Sequence, residues 1–71
     1  MNPNWEYCIV EWLWDFGRIQ YFLPDGQQGE EEGSYPQVVE VLSQLGRDGW
    51  EVVGNTASSN WVFWTLKRPI R

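Results

Sequence analysis

Residues 5–14 read Trp-Glu-Tyr-Cys-Ile-Val-Glu-Trp-Leu-Trp, a run dense in the aromatic and β-branched types that favour strands. At period two, Trp5, Tyr7, Ile9 and Leu13 share one side, and Cys8, Val10, Trp12 and Trp14 share the other. Both sides are apolar apart from Glu6 and Glu11. Asp15-Phe16-Gly17 then reads as a tight turn into a second strand over residues 18–23, with Ile19, Tyr21 and Leu23 on one side. The two segments predict a β-hairpin. Pro24-Asp25-Gly26 ends it with a turn signal.

The period changes after residue 33. Ser34 is a capping residue, Gln37 stands where a capping box wants its reciprocal partner, and Pro36 falls in the first turn, where a missing N–H costs nothing. Val38, Val41, Leu42 and Leu45 fall on one helical face. Gly46 or Gly49 can end the helix, with Arg47 near its negative pole. Residues 50–53 predict a third strand and residues 55–60 a polar loop. Residues 61–66 predict a fourth strand, with Trp61 and Phe63 on one side and Val62, Trp64 and Leu66 on the other. Two stretches fall outside the pattern. Residues 24–34, with Glu30-Glu31-Glu32 and no apolar anchor, predict a mobile acidic loop. Residues 67–71, Lys-Arg-Pro-Ile-Arg, predict a basic tail in which Pro69 stops sheet pairing.

These elements predict a single α+β domain over residues 1–71, in the order ββαββ. Its four-stranded antiparallel sheet carries one helix packed on one face. The first and fourth strands are apolar on both sides and belong at the centre. One helix cannot cover both faces, so the other face predicts an interface, assigned to Val10, Trp12, Trp14, Val62, Trp64 and Leu66.

Composition sharpens that expectation. A chain of 71 residues makes one domain of marginal stability. The lone Cys8 excludes an intrachain disulfide, and the absence of His argues against a zinc site. Oligomerisation remains as the way to add buried surface. Six Trp, three Tyr and three Phe are more than so small a core can enclose. The net charge of −5 argues against nucleic acid as a partner. No apolar run is long enough to predict a membrane span, and Met1–Glu6 (residues 1–6) has neither the cationic nor the apolar region of a signal peptide. A lone thiol fits a cytoplasmic location.

Candidate chemistry is sparse. Asp15-Phe16-Gly17 spells a kinase metal-binding triplet, but with no kinase domain around it the reading is a turn. Cys8 has no His to activate it and reads as structural. Three consecutive carboxylates, Glu30 to Glu32, read as solvated rather than as a calcium loop, whose ligands alternate. Of the strand carboxylates Glu6, Glu11 and Glu51, Glu11 has a plausible cross-strand partner in Arg18. Arg18, Arg47 and Arg68, beside surplus aromatics, are candidates for the rim of a small-molecule site that stacks a nucleotide-like ligand. The pattern as a whole points to a non-catalytic, homo-oligomeric interaction module without a cofactor. The alternative is a protein that binds or sequesters a nucleotide-like molecule between subunits.

Leu42-Ser43-Gln44-Leu45-Gly46-Arg47-Asp48-Gly49-Trp50-Glu51-Val52-Val53 resembles a family of short bacterial and phage proteins grouped as a domain of unknown function. Its signature looks like Leu-x-x-Leu-Gly-x-x-Gly-Trp-Glu-Leu-Val. Trp5-Glu6-Tyr7 resembles the family's opening strand, and Lys67-Arg68-Pro69 its C-terminal end. The chain departs from the family in its tryptophan content and its acidic, glycine-rich stretch. The resemblance implies a fold and no established activity. Physically, the signature reads as Leu42 and Leu45 packing the helix on the sheet, glycines turning the chain out, and Trp50 covering the helix end.

Overall fold

The computed structural model describes residues 4–70. Chain order is β1 (Trp5–Leu13), β2 (Arg18–Phe22), a 3-10 turn (Pro24–Gly26), β3 (Gln28–Glu32), α1 (Tyr35–Arg47), β4 (Glu51–Ala57) and β5 (Val62–Pro69). The strands form one sheet in the order β3-β2-β1-β5-β4, antiparallel at every pairing. The class is α+β with one α-helix among the described residues, and the two strands expected at the centre, β1 and β5, lie inside the sheet. No helix among the described residues is long and apolar enough to cross a membrane.

The sheet has five strands, not the four expected, because the acidic stretch contains β3. Asp25 and Gly26 both take left-handed backbone angles, φ 68° and 77°, and reverse the chain after β2. The Leu23 amide donates to the Gln27 carbonyl at 2.7 Å, closing the hairpin. Without β3, β2 would be an edge strand with a row of unpaired amides and carbonyls beside the fully buried Ile19. The carboxylates tolerate strand geometry because an edge leaves all three in water. Gly29 pairs with Tyr21, whose ring lies where a Cβ at position 29 would stand.

The expected basic tail is also corrected. Lys67, Arg68 and Pro69 belong to β5, and Pro69 pairs with Trp5. On its other side β5 is paired only as far as Lys67, opposite Glu51, so Pro69 lacks no ladder bond there. Arg71, the last residue of that tail, lies outside the described residues. β4 runs on to Ala57 through residues expected to be loop, with a register shift between Val52 and Gly54.

The helix forms where the pattern places it. The Ser34 amide donates to Gln37 Oε1 at 2.9 Å, the reciprocal half of a capping box. Gly49, at φ 94°, ends the helix. Its amide reaches the Gly46 carbonyl and the Trp50 amide reaches the Leu45 carbonyl, each at 3.0 Å, the paired bonds of a Schellman turn. That turn drops Trp50 onto Leu45. Val38, Val41 and Leu45 are buried against Cys8, Val10, Trp12, Ile19, Leu66 and Trp50, with Tyr21, Leu23, Leu42, Val62 and Trp64 packed around them. At the helix start, Trp12 Nε1 donates to the Gly33 carbonyl at 3.3 Å, and its ring meets Tyr35 edge-on at 4.6 Å between centroids.

This core overturns the face assignment. Val10, Trp12, Val62, Trp64 and Leu66 do share a face, because Val10 pairs with Trp64, Trp12 with Val62, and Cys8 with Leu66. It is the face the helix covers. Val10 is 0% exposed, Trp12 and Leu66 are buried, and Val62 and Trp64 are half-buried. Trp14 lies past the end of β1 in the turn and stands 47% exposed. The helix chose the side whose strand positions 8, 10 and 12 carry no charge. The opposite side includes Glu11 and the Tyr7 hydroxyl, which keep contact with water.

Candidate interaction site

The open face of the sheet is built on β1. Residues paired across antiparallel strands point the same way, so Tyr7, Ile9 and Glu11 collect their neighbours into rows. Ile9 sits between Phe22 and Thr65, Glu11 between Gln20 and Phe63, and Tyr7 beside Lys67. Tyr7 is 56% exposed, and Ile9 and Phe22 each 40%. Phe63 stacks on Trp61 at 5.2 Å with 21° between the rings. Lys67 Nζ stands 3.9 Å above the Trp5 ring, a cation–π contact that leaves its charge at one flank. Arg18 and Glu30 form an exposed ion pair of 2.8 Å on the other flank. Arg18 therefore pairs with Glu30 on β3 and not with Glu11, because the extra strand brings a carboxylate within reach.

At the helix's C-terminal end lies a denser polar cluster. Glu6 and Arg68 are cross-strand partners on the helix side, and Arg68 Nε meets Glu6 Oε2 at 2.6 Å. Arg68 Nη1 donates to the Asp48 carbonyl at 2.9 Å, and the guanidinium lies 4.4 Å from the Trp50 ring centroid. Arg68 thus clips β1, β5 and the helix end together over Trp50. Arg47 donates from Nη1 to Gln44 Oε1 at 3.2 Å. Arg47 and Arg68 line one shallow depression of about 660 Å³ with Glu6, Asp48 and Gly49. Arg18 is on the opposite face, so two of the three expected rim arginines come together and the third does not. Arg68 already holds an anion, a carbonyl and a ring, so its charge is paired with Glu6 and two of its five N–H groups are engaged.

Cys8 lies under the same cluster. Burial pushes its thiol up to about 11, with nearby Arg68 pulling the other way and Glu6 adding to the rise. At neutral pH it is a protonated thiol, a weak nucleophile. The unfolded thiol ionises near its ordinary 9.0 while the folded one stays neutral to about 11. Its contribution is therefore intact below pH 9 and is lost as pH climbs toward 11. The loss is about 1.4 kcal/mol per pH unit, on the order of 2–3 kcal/mol in all. Urea unfolding of wild type and Cys8→Val across this window will show the decline in wild type and a flatter profile in the variant. Equal declines would mean that another group drives the alkaline loss.

Among the described residues no cluster of three or more His, Cys, Asp or Glu side chains is placed to hold a metal ion. The sequence pattern missed three features of these surfaces: β3, the Arg68 clip and the Trp61–Phe63 stack. Glu6 was singled out as a strand carboxylate and Arg68 as a rim arginine, but their pairing follows from a register across most of the chain. Compared with protein-family models, with curated proteins and with solved structures, the chain matches none.

Proposed function

We propose that this chain is a non-catalytic interaction module that assembles with copies of itself through the open face of its sheet. The observation that carries this reading is the exposed apolar row of Tyr7, Ile9 and Phe22 at the centre of a face with no helix over it. A sheet face of this kind is normally buried against a second layer. A second copy offers the same apolar row. A two-fold axis parallel to the sheet sets the row of one copy on the row of its partner, an isologous contact that closes. The ligand-sequestering alternative has less to stand on, since Arg68 and Trp50 occupy each other.

Sedimentation velocity tests the reading. Wild type is expected to run as an assembly at micromolar concentration, and Ile9→Asp to at least halve its size with an unchanged circular dichroism spectrum. Wild type running as single chains would end the proposal.

A further inference from the structure

The two edges of the sheet are unlike. β3 presents Glu30, Glu31 and Glu32 in succession. β4 presents Val52-Val53-Gly54-Asn55-Thr56-Ala57 after a single Glu51, with no other charge and no proline. All seven residues of β4 are exposed, so among the described residues neither the helix nor any loop covers this strand. Natural sheets blunt their edges with charge, proline, bulges or cover, because a bare edge is a template for another strand. β3 is guarded by charge. β4 has one such guard, the register shift between Val52 and Gly54, and past it Gly54, Asn55, Thr56 and Ala57 pair regularly with β5.

We propose that β4 pairs with β4 of a second copy, antiparallel across a two-fold axis, so that one sheet runs through both chains. Three physical points select this occupant. Antiparallel pairing about the middle of the strand keeps the two Glu51 carboxylates roughly 20 Å apart, beyond the screening length at physiological salt. Parallel pairing would set them side by side. Pairing β3 with β3 would oppose one run of three glutamates to another, which is destabilising. Pairing β4 with β3 of the next copy leaves a free edge at each end and grows an open filament, whereas β4 with β4 closes. This contact uses backbone groups at the sheet edge and does not rest on the open face.

Cysteine crosslinking of the full chain tests it. Cys8 is buried and protonated, so Asn55→Cys introduces the one reactive thiol. A short bis-maleimide should convert Asn55→Cys, whose thiols lie on a cross-strand diagonal in this register, to a crosslinked dimer, and Glu31→Cys on the opposite edge should stay largely uncrosslinked. The Asn55→Cys crosslink should persist in an Ile9→Asp background, which separates this contact from assembly through the open face. Thr56→Lys should weaken the remaining self-association by about tenfold or more while the chain stays folded. The proposal is overturned if Asn55→Cys crosslinks no better than Glu31→Cys. It is also overturned if a mixture of the two gives mainly the mixed dimer, or if folded Thr56→Lys associates as wild type does.

Discussion

Val10→Asp will leave the chain unfolded in buffer, whereas Ile9→Asp, one residue away, will leave it folded. Val10 is fully enclosed by the helix and its sheet neighbours, and Ile9 is 40% exposed on the open face. At position 10 the substitution removes about 1.5–3 kcal/mol of apolar burial. It also strands a carboxylate without a partner, at a cost of several kcal/mol whether the group stays charged or takes up a proton. A domain of this length holds roughly 4–10 kcal/mol in total, so the sum consumes most or all of it. At position 9 the new carboxylate reaches water, and the loss is confined to contacts with Phe22 and Thr65. Circular dichroism and amide proton dispersion distinguish the two. If Ile9→Asp unfolded and Val10→Asp did not, the helix would be on the other face of the sheet.

The second large effect is at Trp50, whose truncation to alanine is expected to cost about 3–5 kcal/mol. This side chain joins three parts of the molecule. Its amide closes the helix-ending turn on the Leu45 carbonyl, its ring fills the core beside Leu45, and its outer face carries the Arg68 guanidinium. Trp50→Ala leaves a cavity there and strips the stacking surface from an arginine that holds β1 and β5 to the helix end. Urea unfolding should show a transition shifted so low that little native baseline remains. Trp50→Phe, which keeps an aromatic ring in the site, should recover most of the loss. A small change in Trp50→Ala would show that Leu45 and Arg68 hold the helix end without it.

Both variants probe features that were legible to different degrees in the sequence. The helix, its capping box and its buried stripe of Val38, Val41 and Leu45 were readable because an α-helix is local, with each signal within a few residues of its partner. The central places of β1 and β5 were readable from strands apolar on both sides. The grouping of Val10 and Trp12 with Val62, Trp64 and Leu66 also followed from period-two alternation.

The side of the sheet taken by the helix was not readable from that alternation. Both faces of β1 offered enough apolar surface, so the choice came from the small difference between Cys8-x-Val10-x-Trp12 and a row that includes Tyr7 and Glu11. β3 was hidden for a related reason. Three glutamates look like solvated loop to any local measure, and they form a strand because the neighbouring β2 has backbone groups to satisfy and an edge exposes their side chains. The Arg68 clip required residues 6, 48, 50 and 68 to be brought together by the register of β1 on β5. The sequence by itself determined the helix, the four apolar strands, their alternation and the surplus of apolar sheet surface, all set by neighbours along the chain. Only the tertiary structure decided which face became core, which edge stayed bare and which charges met, because those depend on competition between surfaces distant in sequence.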